Sequence, residues 1–241
     1  KVNVIPGWVE PSDMEEIKRL AKLVGADITL FPDTSGVLNG PLSGEYHMFP
    51  QGGVTVAELK GCGDAIGTLA LGEWCSADAA RLLDTKYKVP CRILDMPFGL
   101  KATDRFIDAL RTVSGTVVPE EISYERGQLV DLISDMHQYF YHKKVALFGD
   151  PDQLISMTEF LISIDMWPVH VVTGTPGNKF EKRIKELTAH LPFEVNVRAK
   201  GDLFLLHQWI KNEPVDFLIG NTYGKYIARD EDIPFIRWGF P

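Results

Sequence analysis

Short apolar runs alternate with amphipathic stretches along the whole chain, and this exchange between a strand-like and a helix-like pattern constrains the fold more than any other feature. Apolar runs fall at 2–5, 28–31, 66–71 and 91–94 in the first half, and at 145–148, 169–172, 193–197, 217–219 and 235–238 in the second. Between them, 14–23, 76–83, 103–110, 179–191 and 203–210 carry apolar residues at three- and four-residue spacing. Ser12 followed by Glu15 reads as a capping box opening the first helix, and Asp150-Pro151 reads as a capping carboxylate before a proline at the first helical position. Such alternation is the pattern of parallel sheets covered by helices on both faces. The stretch 33–53 is rich in Gly, Pro, Asp and Ser and is expected to be a long surface loop.

The pattern occurs twice. KVNVIPGWVEPSDMEEIKRLAKLVGADITLFPD and KKVALFGDPDQLISMTEFLISIDMWPVHVVTGT each give a strand, a glycine (Gly7, Gly149), a helix and a second strand. This is a weak internal repeat, as two Rossmann-like units in tandem would produce. At 241 residues the chain is long enough for two compact units. The expected division is 1–118 for the first α/β domain, 119–142 for a connecting helix begun by Pro119, and 143–241 for the second.

Charge and composition exclude several function classes. With 25 Lys and Arg against 33 Asp and Glu, net charge −8, the chain lacks the basic footprint that nucleic-acid phosphates require. No apolar run approaches membrane-spanning length and no signal-peptide pattern opens the chain, so a cytoplasmic location is expected. Cys62, Cys75 and Cys91 are scattered without a C-x-x-C pair, which reads as small buried or half-buried thiols rather than a disulfide framework or a zinc site.

Glycine-containing segments follow three strands, at 148–151, 173–179 and 220–225. None matches a dinucleotide or P-loop fingerprint, and tight turns between packed elements account for them better than a ligand loop does. On the connecting helix, Leu129, Ile133, Met136 and Phe140 form one stripe, expected to point into a core. Asp131, Asp135, Gln138 and His142 form another, about 200° round the helix. Two aspartates at i and i+4 repel by a few tenths of a kcal/mol. They read either as a solvated face or as a pair relieved by a hard cation or a basic neighbour. His137 and His142 do not share a face, His207 reads as a helix residue at the edge of a core, and the tryptophans read as packing residues. No serine or cysteine stands in a nucleophile elbow.

GWVEPSDMEEIKRL, FPDTSGVLNGPL, RGQLVDLISDMHQYFY and KNEPVDFLIGNTYGKYIARDEDIPF together resemble the nitrogenase component-1 beta chains over the whole sequence, in wording most like the vanadium-dependent type. The resemblance implies a pair of Rossmann-like domains from a longer protein, without the amino-terminal domain whose cysteines hold the P-cluster (8Fe-7S). It also implies an enzyme complex for nitrogen fixation, reducing dinitrogen to ammonia at an iron-vanadium or iron-molybdenum cofactor in the alpha chain. The partners it implies are the alpha chain, a second beta chain, the iron protein and, for the vanadium type, a delta chain. It places a divalent cation near Asp131 and Asp135 at the contact between two beta chains, and leaves this piece structural and inactive by itself. A cofactor-assembly scaffold of the same superfamily and a two-lobed small-molecule binding protein are the competing readings.

Overall fold

The computed structural model describes residues 1–240; Pro241, the last residue of the expected second domain, lies outside the described residues. The chain divides into two compact units, Lys1–Gly127 and Gln128–Pro241. Each is an α/β unit built on an all-parallel sheet.

Unit 1 holds β1 (Val2–Ile5), α1 (Pro11–Val24), β2 (Ile28–Leu30), α2 (Val56–Lys60), a 3-10 turn at Gly61–Asp64, β3 (Gly67–Leu71), α3 (Ala77–Tyr87), β4 (Cys91–Leu94) and α4 (Gly99–Ser114). The sheet order is β2-β1-β3-β4, with Val2 opposite Ile28 and Gly67. The central strands β1 and β3 are buried along their whole length, as strands covered on both faces must be. Alternation sorts their side chains. Val2, Val4, Leu69 and Leu71 join Ile17 and Ala21 of α1 and Phe106 and Leu110 of α4 in one core. Ile5 and Ala70 point the other way, toward Ala80 of α3. At roughly 1.5–3 kcal/mol per fully buried large apolar side chain, this two-sided burial is what holds the sheet.

The helix ends differ from expectation in an instructive way. Pro11 occupies the first turn of α1, so the cap moves to Glu10, and its backbone N–H donates to Asp13 Oδ2 at 3.0 Å. The box is therefore Glu10/Asp13 and not Ser12/Glu15, because a proline without an N–H sits best at the first helical position. Similarly, Asp150 has the extended backbone of a cap, but its side chain makes no capping bond.

Unit 2 contains β5 (Lys144–Phe148), α6 (Pro151–Ser163), β6 (Trp167–Val172), α7 (Asn178–Thr188), β7 (Asn196–Arg198), α8 (Leu203–Asn212), β8 (Phe217–Gly220), α9 (Gly224–Asp230) and β9 (Phe235–Arg237). The order is β7-β6-β5-β8-β9, with β5 central and Val145 opposite Phe217. Ala146, Phe148 and Leu218 meet Leu206 and Ile210 of α8 and Ile227 and Ala228 of α9. The edge strands β7 and β9 are three residues each, the brevity by which sheets limit unwanted pairing. Between the sheets in sequence runs α5 (Glu120–Phe140), and the division at Gly127 and Gln128 falls within it.

Candidate functional site

In open parallel sheets, ligands bind beyond the carboxyl ends of strands where the strand order reverses. In unit 2 that point lies between β5 and β8, at Gly149-Asp150 and Gly220-Asn221. The glycines there serve packing. A Cβ on Gly220 would lie 2.2 Å from the Phe148 ring, and one on Gly224 would meet the rings of Phe235 and Phe148 at 2.6 and 2.8 Å. Phe148 is 5% exposed, so its ring fills the space a phosphate-cradling loop would need. Asn221 Oδ1 accepts from Tyr223 N at 3.1 Å and closes the turn before α9. Burial pushes the Asp150 carboxyl above its ordinary value.

In unit 1 the reversal lies between β1 and β3. Gly7, at φ +79°, brings its backbone so close to β3 that a Cβ would lie 2.6 Å from the Leu71 carbonyl, which also accepts from Ser76 Oγ at 2.9 Å. Beyond β2, Asp33 is bonded on both oxygens: Lys18 Nζ donates to Oδ2 at 2.9 Å, and Ser35 N and Oγ donate to Oδ1 at 2.9 and 2.6 Å. Burial alone would raise the Asp33 carboxyl, yet these bonds outweigh it and hold the group below its ordinary value. Lys18 Nζ also donates to Ser35 Oγ. The cluster therefore locks a loop root. Lys18 and Asp33 form an ion pair.

Asp131 and Asp135 both lie exposed on the second half of α5. The expectation that Leu129, Ile133, Met136 and Phe140 point into a core is corrected. Leu129 and Met136 remain more than a third exposed, and Ile133 and Phe140 are only half-buried. Ile122 is the one residue of α5 buried among the described residues. Apolar spacing reports a shared face and not what covers it, so here it does not translate into burial. The carboxylate pair has no third donor beside it, since no group of three or more His, Cys, Asp or Glu able to hold a metal occurs among the described residues.

The other candidates fall apart spatially. His137 Nε2 bonds Asp165 Oδ2 at 2.8 Å, whereas His142, past the helix end at φ +57°, stacks between Tyr141 and Trp167 at 3.7 and 4.0 Å. His207 Nε2 meets Glu231 Oε1 at 2.5 Å, and Lys211 Nζ donates to the same oxygen at 2.6 Å. Cys62 is buried and Cys91 half-buried, as expected, but Cys75 is exposed. Cys91 opens β4 while Cys75 lies past the end of β3, so the parallel register puts them at opposite ends of the sheet. Of the tryptophans expected to pack, Trp8 is half exposed. Sequence reading missed His170, fully buried on β6, whose Nε2 donates to the Glu213 carbonyl at 2.9 Å while Nδ1 accepts from Asn196 Nδ2 at 3.2 Å. Both ring nitrogens are satisfied by a neutral imidazole, and burial pushes its pKa down.

Comparison with known proteins places this geometry. Residues 1–241 match the family described as nitrogenase component 1 type oxidoreductase. The chain is 52% identical to the nitrogenase molybdenum-iron protein beta chain of Clostridium pasteurianum, covering 100% of this chain and 53% of that one. It is 34% identical to the nitrogenase vanadium-iron protein beta chain of Trichormus variabilis, again covering 100% and 53%. A solved structure titled "Nitrogenase Cp1 at pH 6.5" superposes with a TM-score of 0.98 at 52% identity over 100% of this chain and 53% of that chain. A chain of a second, "Nitrogenase Cp1 at pH 5", gives 0.68 at 12% identity, a likeness of fold alone. The chain thus spans about half the length of the curated relatives it matches.

Proposed function

Since the chain belongs to the nitrogenase component 1 family, matched from its first residue to its last, we propose that it forms part of the beta chain of a nitrogenase. That complex would reduce dinitrogen to ammonia in the cytoplasm with electrons from a separate iron protein. The carrying observation is the 52% identity to a beta chain over the full 241 residues, together with the TM-score of 0.98. Identity of 52% to a molybdenum-iron chain against 34% to a vanadium-iron chain supports the molybdenum-iron type over the vanadium type that the wording had suggested, and with it the absence of a delta chain from the partners. The alpha chain, a second beta chain and the iron protein are the partners of this reading.

The redox chemistry of such a complex comes from metal clusters when bound. The donors of this chain do not fit one: its three thiols are dispersed and differ in burial, and no set of three ligands gathers among the described residues. We therefore assign these residues no step at a cluster. Their part is a scaffold of two parallel-sheet units, with Asp131 and Asp135 offered outward for a cation or a second beta chain. Co-expression of the full-length beta chain with its alpha chain, followed by metal analysis and an iron-protein-dependent ammonia assay, tests this. Molybdenum with iron and ammonia formation is the expected result. Vanadium in place of molybdenum would overturn the subtype, and a chain that joins no alpha chain would overturn the whole reading.

A further inference from the structure

Asn3 interrupts the apolar central strand β1. Its neighbours Val2 and Val4 face the core made with α1 and α4, while Ile5 faces α3, and by alternation Asn3 shares the face of Ile5. Its register partners are Thr29 on β2 and Thr68 on β3, and Cys91 of β4 stands opposite Thr68. A row of small polar side chains thus crosses a sheet face that apolar residues would ordinarily fill. Asn3 is 0% exposed, and Thr29, Cys62 and Thr68 are buried with it. All four belong to unit 1, and an atom already closed to solvent stays closed whatever a longer chain adds.

The bonding of Asn3 is one-sided. Nδ2 donates to the Cys62 carbonyl at 2.9 Å and to Thr68 Oγ1 at 3.2 Å. A carbonyl only accepts, so the Cys62 contact fixes which end of the amide is nitrogen. Oδ1 is closed to solvent, and no protein group among the described residues donates to it. Such an oxygen has lost its hydration without a replacement, a state that folded proteins avoid through a protein donor or an ordered water. Its direction follows from the sheet order β2-β1-β3. With Nδ2 turned toward β3, the planar amide turns Oδ1 toward β2, where Thr29 carries a hydroxyl that both donates and accepts. Neighbouring strands lie about 4.8 Å apart, a span that two bonds of about 2.8 Å meeting at one water oxygen bridge.

We infer that Asn3 Oδ1 and the Thr29 hydroxyl together hold one buried structural water, which donates a hydrogen bond to the amide oxygen and shares another with the threonine. Buried waters serve in this way the polar groups that a protein leaves without a partner of its own. The water completes a chain of bonds from β2 through β1 to β3 and to the 3-10 turn at Gly61–Asp64, whose Cys62 carbonyl the same amide holds. Asn3 is thereby a positioning residue for that turn, its amide fixed at both ends. Only unit 1 is involved, so the water stands or falls apart from the beta-chain reading.

High-resolution crystallography of the full-length chain tests this, beside Thr29→Val, which keeps the shape of the side chain without its hydroxyl, and Thr29→Ser, which keeps the hydroxyl. Wild type and Thr29→Ser are expected to show an ordered water about 2.5–3.0 Å from Asn3 Oδ1. Thr29→Val is expected to lose that water, and its 61–64 amides to exchange at least about threefold faster than those of Thr29→Ser, the weight of one net hydrogen bond. Wild-type density without a solvent peak at Oδ1, in a map that shows other buried waters, would overturn the inference. So would a protein donor found in that place, or a water that persists unchanged in Thr29→Val. Equal exchange of 61–64 in the two variants would overturn the part given to the turn. Should Thr29→Val fail to fold, the wild-type density alone decides.

Discussion

Single residues set two limits on this molecule. Gly220 and Gly224 are closed to any side chain by the Phe148 ring, so the segment is a packing device, in keeping with its reading as a tight turn. His170 sets the second. Burial first of all, aided by the charge of Lys144 and opposed by the Glu213 carbonyl, holds its imidazole below the ordinary value. The folded state then binds the proton less readily than the unfolded state, where a histidine titrates at about 6.5. Stability from this group is complete above that pH and is lost as pH falls below it, by at most about 1.4 kcal/mol per pH unit. Asp150 works in the opposite sense: its raised carboxyl gives stability at low pH that fades as pH rises past the ordinary carboxylate value of about 3.9, so the two partly offset. The opening free energy of the β6 amides, taken from exchange rates corrected for the intrinsic pH dependence of exchange, is therefore expected to fall between pH 6.5 and 5.5 in the wild type, and to change much less in His170→Gln, which is less stable throughout. Equal pH dependence in both proteins would refute the assignment. His170 was not singled out in the sequence because its environment is made by Asn196 and Glu213, distant in the chain.

At the scale of elements, the strands were legible as apolar runs whether fully buried, like β1, or only half-buried, like β4: β1 and β4 fall where the runs fall, and β2, β3, β5, β8 and β9 differ by one residue at an end. Where reading failed, a local pattern competed. Phe193 heads an apolar run, yet it packs from a loop against Trp167 at 5.2 Å, and β7 begins only at Asn196. The helix α9 was hidden because Gly224 looks like a turn residue, and α2 is a short piece capped by Thr55 and Glu58. On α5, spacing located Asp131 and Asp135 on one exposed face but misjudged the apolar stripe, since periodicity reports a common face and not what covers it. The double change Asp131→Asn with Asp135→Asn is expected to leave the melting temperature of the 241-residue chain unchanged or slightly higher, as a repulsion of a few tenths of a kcal/mol is removed. Association of the full heteromer should weaken. Size-exclusion measurements showing assembly indifferent to both changes would remove the pair from any interchain role.

For the whole molecule, alternation of strands and helices was enough to name two parallel-sheet units, whereas little of a site was readable, because no group of three or more metal-ligating side chains gathers among the described residues and the partners of His170 are distant in sequence. The 241-residue chain, prepared anaerobically, is expected to be colourless, with iron well below one equivalent by elemental analysis, because Cys75 and Cys91 sit at opposite ends of one sheet. Stoichiometric iron with sulfide bound through the three thiols would contradict the scaffold role. The strand order of unit 2 also bears on how the protein is made. The central strand β5 pairs on one side with β6, but its other partner is β8, where Phe217 lies 72 positions after Val145. A ribosome adding about 5–20 residues per second needs roughly 4–14 s to cross that gap. For those seconds one flank of the unit's central strand waits with its hydrogen bonds unmade, and the nascent chain is most in need of shelter before Phe217 emerges.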